Sequence, residues 1–553
     1  MSQASLEEVL LSRLDEHVDS GPASPEARPG HWRTVPYQAE GIDGVMLACG
    51  EATRPEPVCV RLGATGLYRI WLGMYAWRNG TIRVRLTRDL CCTRLSAPAY
   101  SVIEPPVLHE VMWKTCDLTG QDLWLEGAYD PEPLAGALAY LRLEPVGSLP
   151  EAQPAAHVWR GMCISNDGCG VFRRSPHHRQ EDLLETLETI PDSSCMRSLL
   201  WGNGNADNCN YPTKVGNPLF LQKWLDPHVS GDGAIALPNV QTWQEKGWDG
   251  MRLVRDYARG RAWEFHVYIR MEAFAGAFPH EELVWSRFFY DHPEWWCLDR
   301  DGSPVNRLSY AVPEVQDHML DLIAEIGAYS PDGVCLCLTR GIPVVLYEPS
   351  MVAGFQDQHG VDPRALDQTD PRWLDYQADI FTSFVKRARE RLDSRQHLSV
   401  MVPGNATDCR RWGLDVASWV SQGLVQDLYP VGQQFNSANT HFDSPAAMDF
   451  GYFQGLEGRD RVRLIPCFYT WTLYREGPVG FRRLVRSLLD QGADQYCIWD
   501  GDTSYDGGKI GDIGSHDWSG PEYTPPAPPE ARTVALHALN GFRIDQYGSC
   551  EIV

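Results

Sequence analysis

The sequence lacks the segments by which membrane and exported proteins are usually identified. It contains no run of about 18 apolar residues, so no membrane span is expected. The first segment, MSQASLEEVLLSRLDEHVDS, has neither the basic start nor the apolar core of a secretory signal. It predicts a short amphipathic helix instead. We therefore expect a cytoplasmic protein that has no membrane partner.

Basic residues are scarce relative to acidic ones. The chain has 49 Lys and Arg against 73 Asp and Glu, which gives a net charge of −24. Because such an acidic surface repels phosphate backbones, no nucleic-acid partner is expected. The charge favours solubility, and a homo-oligomer remains possible.

Motifs for nucleotide cofactors and zinc are also missing. No GxGxxG or Walker sequence follows a predicted strand. The pairs Cys91-Cys92 and Cys163…Cys169 do not have zinc-ligand spacing. Many of the 16 cysteines sit singly in apolar runs, as buried thiols do in a reducing compartment. We expect neither cofactor nor metal, and interpret His177-His178 as an exposed loop.

The chain does contain two successive hydrophobic patterns. Residues 1–30 predict the helix followed by a Pro/Gly-rich linker. Residues 31–150 contain short runs with a period of two; in 81–88, for example, Ile82, Val84 and Leu86 alternate with polar side chains. This pattern predicts an antiparallel β-sandwich that serves as an accessory domain.

Residues 155–520 alternate strand-like and helical segments. Eight apolar runs occur, within 158–167, 195–203, 263–272, 333–340, 398–404, 424–430, 461–471 and 494–502. Repeated strand-helix units imply parallel strands, and eight of them predict an α/β fold of the (β/α)₈ barrel type. The C-terminal extension, 521–553, predicts strands that pack on the sandwich.

Polar residues at the carboxyl ends of the eight strands are the candidate site residues, because barrel enzymes place their sites there. Glycoside hydrolysis requires two carboxyl groups, and aromatic and amide side chains to hold the sugar. The candidates for the catalytic carboxyl groups are Glu348, as general acid in an apolar loop, with Asp427 or Glu272 as its partner. The candidates for sugar binding are Arg340, Asp500, Trp499, Tyr347, His441, Asn203, Trp201, Asp167 and Trp471.

The barrel half also resembles the family-10-like glycosylhydrolases over about residues 260–505. The similar segments include FFYDHPEWWCLDRDGSPVNRLSYAVPEVQDHMLDLIAEI and SPDGVCLCLTR. The matching residues are Pro293, Glu294, Trp295, Asp299, Asp301, Gly302, Pro313, Glu314, Val315, Asp332, Gly333, Val334 and Arg340. The resemblance implies a barrel glycosidase with a carbohydrate substrate.

The sequence departs from this family at two strands. The fourth strand reads CysLeuCysLeuThrArg and the seventh CysPheTyrThrTrp, so the usual glutamate pair of strands four and seven is absent. The alternatives to a glycoside hydrolase are a barrel that binds carbohydrate without cleaving it, and a lyase or epimerase that acts on a sugar acid.

Overall fold

The structure is a computed structural model of the chain. It describes residues 7–19, 21–26, 28–39, 41–50, 54–75, 81–96, 107–126, 136–146, 161–173, 176–190, 196–219, 233–272, 274, 286–339, 342–435, 441–443, 448–499, 531–533, 542–544 and 550–552.

Eight parallel strands form a closed barrel. Each strand pairs with its neighbours in chain order, and the eighth pairs with the first. The eight expected runs are all strands, which confirms the predicted barrel. The strands are β1 (Met162–Asn166), β2 (Met196–Gly202), β3 (Glu264–Arg270), β4 (Gly333–Cys337), β5 (His397–Pro403), β6 (Asp427–Val431), β7 (Arg463–Leu464 and Cys467–Tyr469) and β8 (Tyr496–Trp499).

The strands read as continuous apolar runs because both of their faces are buried. In β8, Cys497 and Trp499 belong to the cluster inside the barrel, whereas Tyr496 and Ile498 pack in the outer layer with the helices. Five cysteines occupy the interior cluster beside Tyr and Trp side chains. Small thiols thus alternate with large rings, as close packing of a barrel interior requires.

Ten α-helices are described, and most cover the outside of the barrel. α6 shows how the sequence starts such a helix, since Asp370 accepts a hydrogen bond from the N–H of Arg372 and Pro371 takes the first position. No described helix combines the length and the apolar character needed to cross a membrane. The helices are α1 (Gly233–Lys246), α2 (Gly250–Gly260), α3 (Arg287–Tyr290), α4 (Pro313–Ala328), α5 (Pro349–His359), α6 (Pro371–Glu390), α7 (Ala406–Arg411), α8 (Val416–Ser421), α9 (Phe450–Gln454) and α10 (Thr470–Asp490).

Short elements fill the connections between strands and helices. The 3₁₀ segments are Leu14–Glu16, Gly170–Arg173, Gln180–Leu184, Leu187–Thr189, Pro293–Trp295, Pro363–Ala365 and Arg459–Arg461. The short strands are Gly204–Asn205, Asn208–Cys209 and Asn217–Pro218, followed by the pairs Trp296–Leu298 with Pro304–Leu308, Gln433–Phe435 with His441–Asp443, and Phe542–Ile544 with Cys550–Ile552.

The N-terminal region forms two mainly antiparallel sheets that share one hydrophobic core. One sheet contains Ala23–Ser24, Trp32–Ala39, Ile42–Cys49, Gly136–Pro145, Leu67–Tyr75, Val107–Asp117 and Ala531–Thr533, with Val9–Leu11 paired to Gly136–Pro145. The other contains Val58–Val60, Leu123–Glu126, Thr81–Leu86 and Thr93–Ser96. The domain boundaries inferred from the sequence stay a prediction.

The prediction of a short N-terminal helix is wrong. Val9–Leu11 is a strand that pairs antiparallel with residues 141–143, and within the described part of residues 7–30 only Leu14–Glu16 forms a helical turn, of the 3₁₀ type. Leu11 and Leu14 are buried in the core that the two sheets share. Pairing with an available strand thus outweighs local helix preference, which is a weak determinant.

Candidate active site

A tight turn after β1 fixes the carboxylate of Asp167 at the barrel mouth. Its Oδ1 accepts hydrogen bonds from the backbone N–H groups of Cys169 (2.8 Å) and Gly170 (2.6 Å). Gly168 has φ +68°, and a Cβ there would lie 2.1 Å from the carbonyl oxygen of Gly202. Only glycine therefore suits this position, where the turn passes close to the end of β2.

Arg270, the last residue of β3, lies beside this carboxylate. Its Nη2 is 3.9 Å from Oδ2 of Asp167, and its Nη1 donates to Oδ1 of Asn205 at 2.7 Å. Burial opposes ionisation of Asp167, but Arg270 and the two backbone N–H groups outweigh it and lower its pKa. Asp167 is therefore a charged group that is held in a fixed orientation.

Aromatic rings lie in the barrel interior next to this pair. The ring of Trp499 stacks on Tyr469 at 5.2 Å and approaches Tyr268 at 5.5 Å. The guanidinium of Arg270 lies 5.9 Å from the centre of the Tyr268 ring. Largely apolar rings thus lie below the charged groups of the mouth. These surroundings strengthen the electrostatic interactions between those charges and a bound group.

Two further carboxyl groups, Glu272 and Glu348, lie near each other beyond the ends of β3 and β4. The exposed fractions of these residues are only 2% and 4%. Oε2 of Glu272 accepts from the N–H of Leu308 at 3.1 Å, and both oxygens of Glu348 lie 3.1 Å from the N–H of Leu346. Oε1 of Glu272 has no hydrogen-bond partner in the described part of the chain.

Burial raises the pKa of both glutamates. For Glu272 the rise is large although the positive charge of Arg307 opposes it, and the neighbouring Glu348 adds to it. For Glu348 the hydrogen bond from Leu346 offsets part of the rise. Both groups therefore keep a proton to higher pH than exposed glutamates, so either could serve as a general acid.

The motif residues that resemble the glycosylhydrolase family build the cover over this glutamate pair. Pro293–Trp295 forms a 3₁₀ turn, and Trp296–Leu298 pairs with Pro304–Leu308 around Gly302, which has φ +86°. This hairpin supplies the N–H of Leu308 to Glu272 and the buried thiol of Cys297, which neighbours both carboxyl groups. In the described part of the chain, the residues of this family motif therefore have a structural role, as the cover over the two glutamates.

Asp427 lies at the opposite end of the barrel from the expected position. It is the first residue of β6, and it is fully buried. Arg463 donates to it from Nε (2.5 Å) and Nη2 (3.0 Å), Ser399 donates at 3.0 Å, and Nδ1 of His397 lies 3.0 Å away. The expected position at the mouth was wrong, because pairing with β5 and β7 places the start of the strand at this residue. Polar groups at the amino ends of barrel strands serve stability.

Trp499, which was expected to contact sugar, has no exposed surface in the barrel interior. Three other residues expected to contact sugar also pack inside the protein. Trp201 points outward from β2 into the helical layer and has no exposed surface. Asn203 is also fully buried and donates to the carbonyl oxygen of Ala206 at 2.7 Å. Tyr347 stacks on Trp373 with ring centres 4.9 Å apart. These contacts hold the three side chains in the packed interior and leave little exposed surface for a sugar ring.

Four expected residues cannot be placed with their side chains. Arg340 and Asp500 lie outside the described residues. His441 begins the short strand His441–Asp443, and Trp471 is the second residue of α10; for both, only the backbone is described. Their assignment to sugar binding stays a prediction.

Arg270 and Asn205 stand among the polar residues at the predicted strand ends, but neither was assigned a role in the site, although the sequence contains a signal for the first. Side chains alternate along a strand, so inward-facing Tyr268 places Arg270 on the interior side at the strand's last position. Asn205 has no comparable signal, since it reaches Arg270 from the short strand Gly204–Asn205 in the connection after β2. His177, expected to be exposed, is buried. The described residues contain no cluster of His, Cys, Asp and Glu arranged to bind a metal.

Solved structures to which the chain shows a low similarity include two glycoside hydrolases. The α-galactosidase of Thermus thermophilus is 14% identical, with a TM-score of 0.33 over 90% of this chain and 88% of that one. The glycoside hydrolase domain of PelA from Pseudomonas aeruginosa is 13% identical, with a TM-score of 0.29 over 46% of this chain and 85% of that one.

No model of a known protein family matches the sequence, and no curated protein does. The fold assignment rests on the strand pairing of this chain: it is the eight-stranded parallel barrel that the sequence resemblance implies.

Proposed function

We propose that this protein is a glycoside hydrolase that uses Asp167 as its charged carboxylate and Glu272 as its protonated one. The observation that supports this best is the contrast between the two groups. They follow β1 and β3 at the same end of the barrel, and their surroundings shift their pKa values in opposite directions. Glycosidases use two carboxyl groups that differ in this way: the protonated one is the acid, and the ionised one is the base or nucleophile.

In this proposal each group has a distinct task. Glu272 protonates the leaving oxygen of the glycosidic bond. Asp167, kept ionised by Arg270, either attacks the anomeric carbon or activates a water molecule. Arg270 holds the carboxylate in place and can donate to a sugar hydroxyl. Glu348 is no longer the acid itself but a buried neighbour that helps to keep Glu272 protonated.

A barrel that binds carbohydrate without cleaving it is the second candidate. It is favoured by the enclosure of Glu272, which has an exposed fraction of 2% under the hairpin of residues 296–308. An acid that cannot approach a glycosidic oxygen does no chemistry, whereas the mouth around Asp167 and Arg270 could still bind sugar hydroxyls.

The test compares the full-length protein with Asp167→Asn and Glu272→Gln on aryl glycosides and natural oligosaccharides. We expect both variants to lose roughly 10²–10⁴-fold in kcat, the usual contribution of an acid or base. Glu272→Gln should lose less on aryl glycosides with good leaving groups, because these need little protonation. Asp317→Asn, at an exposed ion pair with Arg387, is the control and should stay fully active.

Two outcomes would change the conclusion. Sugar release that neither substitution affects would remove Asp167 and Glu272 from the mechanism. Sugar binding by calorimetry without product from any substrate would select the second candidate.

A further inference from the structure

A pocket lies beside the turn that carries Asp167. It has a volume of ≈ 210 Å³ and is formed by the 3₁₀ segment Gly170–Arg173, the loop after β2 and helix α1. Most of its walls are aromatic or aliphatic. The side chains that matter here are Phe172, Tyr211, Leu219, Val240, Trp243 and Trp248.

The aromatic walls are held in fixed orientations. Nε1 of Trp243 donates to Nδ1 of His177 at 2.9 Å, and the ring of Trp243 meets those of Phe172 and Trp248 edge to face at 5.7 and 5.2 Å. Asn239 also joins the backbone of His177 to that of Phe172. Such a preformed surface loses little conformational entropy when it binds a ligand.

Most polar groups around the pocket are already paired within the protein. Tyr211 and Thr213 donate their hydroxyl protons to the carboxylate of Glu325 at 3.1 and 2.7 Å. Nδ2 of Asn210 donates to the carbonyl oxygens of Gly168 and Gly202. Oδ1 of Asn210 has no hydrogen-bond partner in the described part of the chain, and Gln244 lies at the exposed edge, so the lining offers a ligand few polar groups.

The described lining contains no charged side chain. A sugar has several hydroxyl groups that lose water on binding and must find new partners, whereas a flat apolar ring has none. The volume also suits a ring, because an apolar cavity of about 150 Å³ is large enough for benzene.

We propose that this pocket binds an uncharged aromatic ring, single or fused, as a site separate from the barrel mouth. The aromatic and aliphatic walls contact the ring, and the exposed edge at Gln244 and Gly247 admits it. Because Asn210 joins the pocket wall to the turn of Asp167, a ligand that carries such a ring would be held next to the mouth. The inference does not depend on the hydrolase activity.

The experiment measures binding of indole to the full-length protein by saturation-transfer NMR. Val240→Phe places a ring in the pocket from helix α1 and should weaken indole binding at least 10-fold. Val479→Phe makes the same change at an exposed position of α10 and should leave binding unchanged. Asp167→Asn should also leave it unchanged, which separates this result from the proposed hydrolase.

A second variant, Leu219→Phe, narrows the pocket from the loop and replaces Val240→Phe if that protein fails to fold. The proposal is overturned if indole does not bind, if it binds equally to the filled variants, or if methyl glucoside displaces indole at equal concentration. The last result would identify a sugar subsite instead.

Discussion

Asp427 provides the sharpest test of the difference between the catalytic and the structural interpretation of a buried carboxylate. It accepts four hydrogen bonds or close polar contacts from Arg463, His397 and Ser399, and Arg463 in turn donates to Glu264 at 2.8 Å. Burial opposes ionisation, but the hydrogen bonds from His397 and Arg463 outweigh it and hold the pKa of Asp427 far below its usual value. The group is therefore fully charged at neutral pH.

Asp427→Asn keeps the shape of the side chain but removes its charge. Half-buried Arg463 then keeps Glu264 as its only carboxylate partner among the groups described around it, and the new amide N–H faces a guanidinium. Removing one partner of a fully buried ion pair costs about 3–5 kcal/mol. Because Arg463 is partly exposed and keeps Glu264, we expect the free energy of unfolding to fall by no more than that amount. Sugar release per folded molecule should be unchanged, because the residue lies at the opposite end of the barrel from Asp167.

The assay is urea denaturation followed by tryptophan fluorescence, with the slope against urea compared between variants. The control is Asp317→Asn, whose ion pair with Arg387 is largely exposed and should be worth less than about 1 kcal/mol. A stable Asp427→Asn protein that has lost its activity would refute the structural interpretation and return Asp427 to the mechanism.

Two further predictions concern the surroundings of the site. Burial lowers the pKa of His177 to about 4 from 6.5, so the unfolded chain takes up a proton that the folded one does not. Stability should thus fall as the pH drops from 6.5 to 4, by roughly 3.5 kcal/mol from 2.5 pH units at about 1.4 kcal/mol each. His177→Gln should flatten this profile in urea titrations. Gly168→Ala should destabilise the protein and lower activity by displacing Asp167, because its Cβ would collide with the backbone of Gly202. Gly302→Ala, with φ +86° but open space around it, should cost only about 1–2 kcal/mol of backbone strain; equal melting points for the two variants would contradict this reasoning.

The sequence by itself determined the barrel. Each of the eight strands is a buried apolar run between helical segments. This alternation can be recognised without knowing the loop structure, because it reflects which residues are buried. The two N-terminal sheets followed in the same way from the period of two. The position of Asp167 in a turn after β1 was also visible, but its proximity to Arg270 was not.

Only the tertiary structure decided which carboxyl groups share a site. Strand ends predicted from sequence differ from the observed ends by a few residues. For Asp427 such a difference moves the side chain from the mouth of the barrel to the opposite end. Glu272 and Glu348 are 76 positions apart in the sequence and are brought together by the hairpin of residues 296–308. The segment Val9–Leu11 likewise became a strand because a partner strand was available. The local periodicity of the sequence indicates which residues are buried. The pairing of distant segments sets the register of the strands, and the register determines where each charged side chain lies.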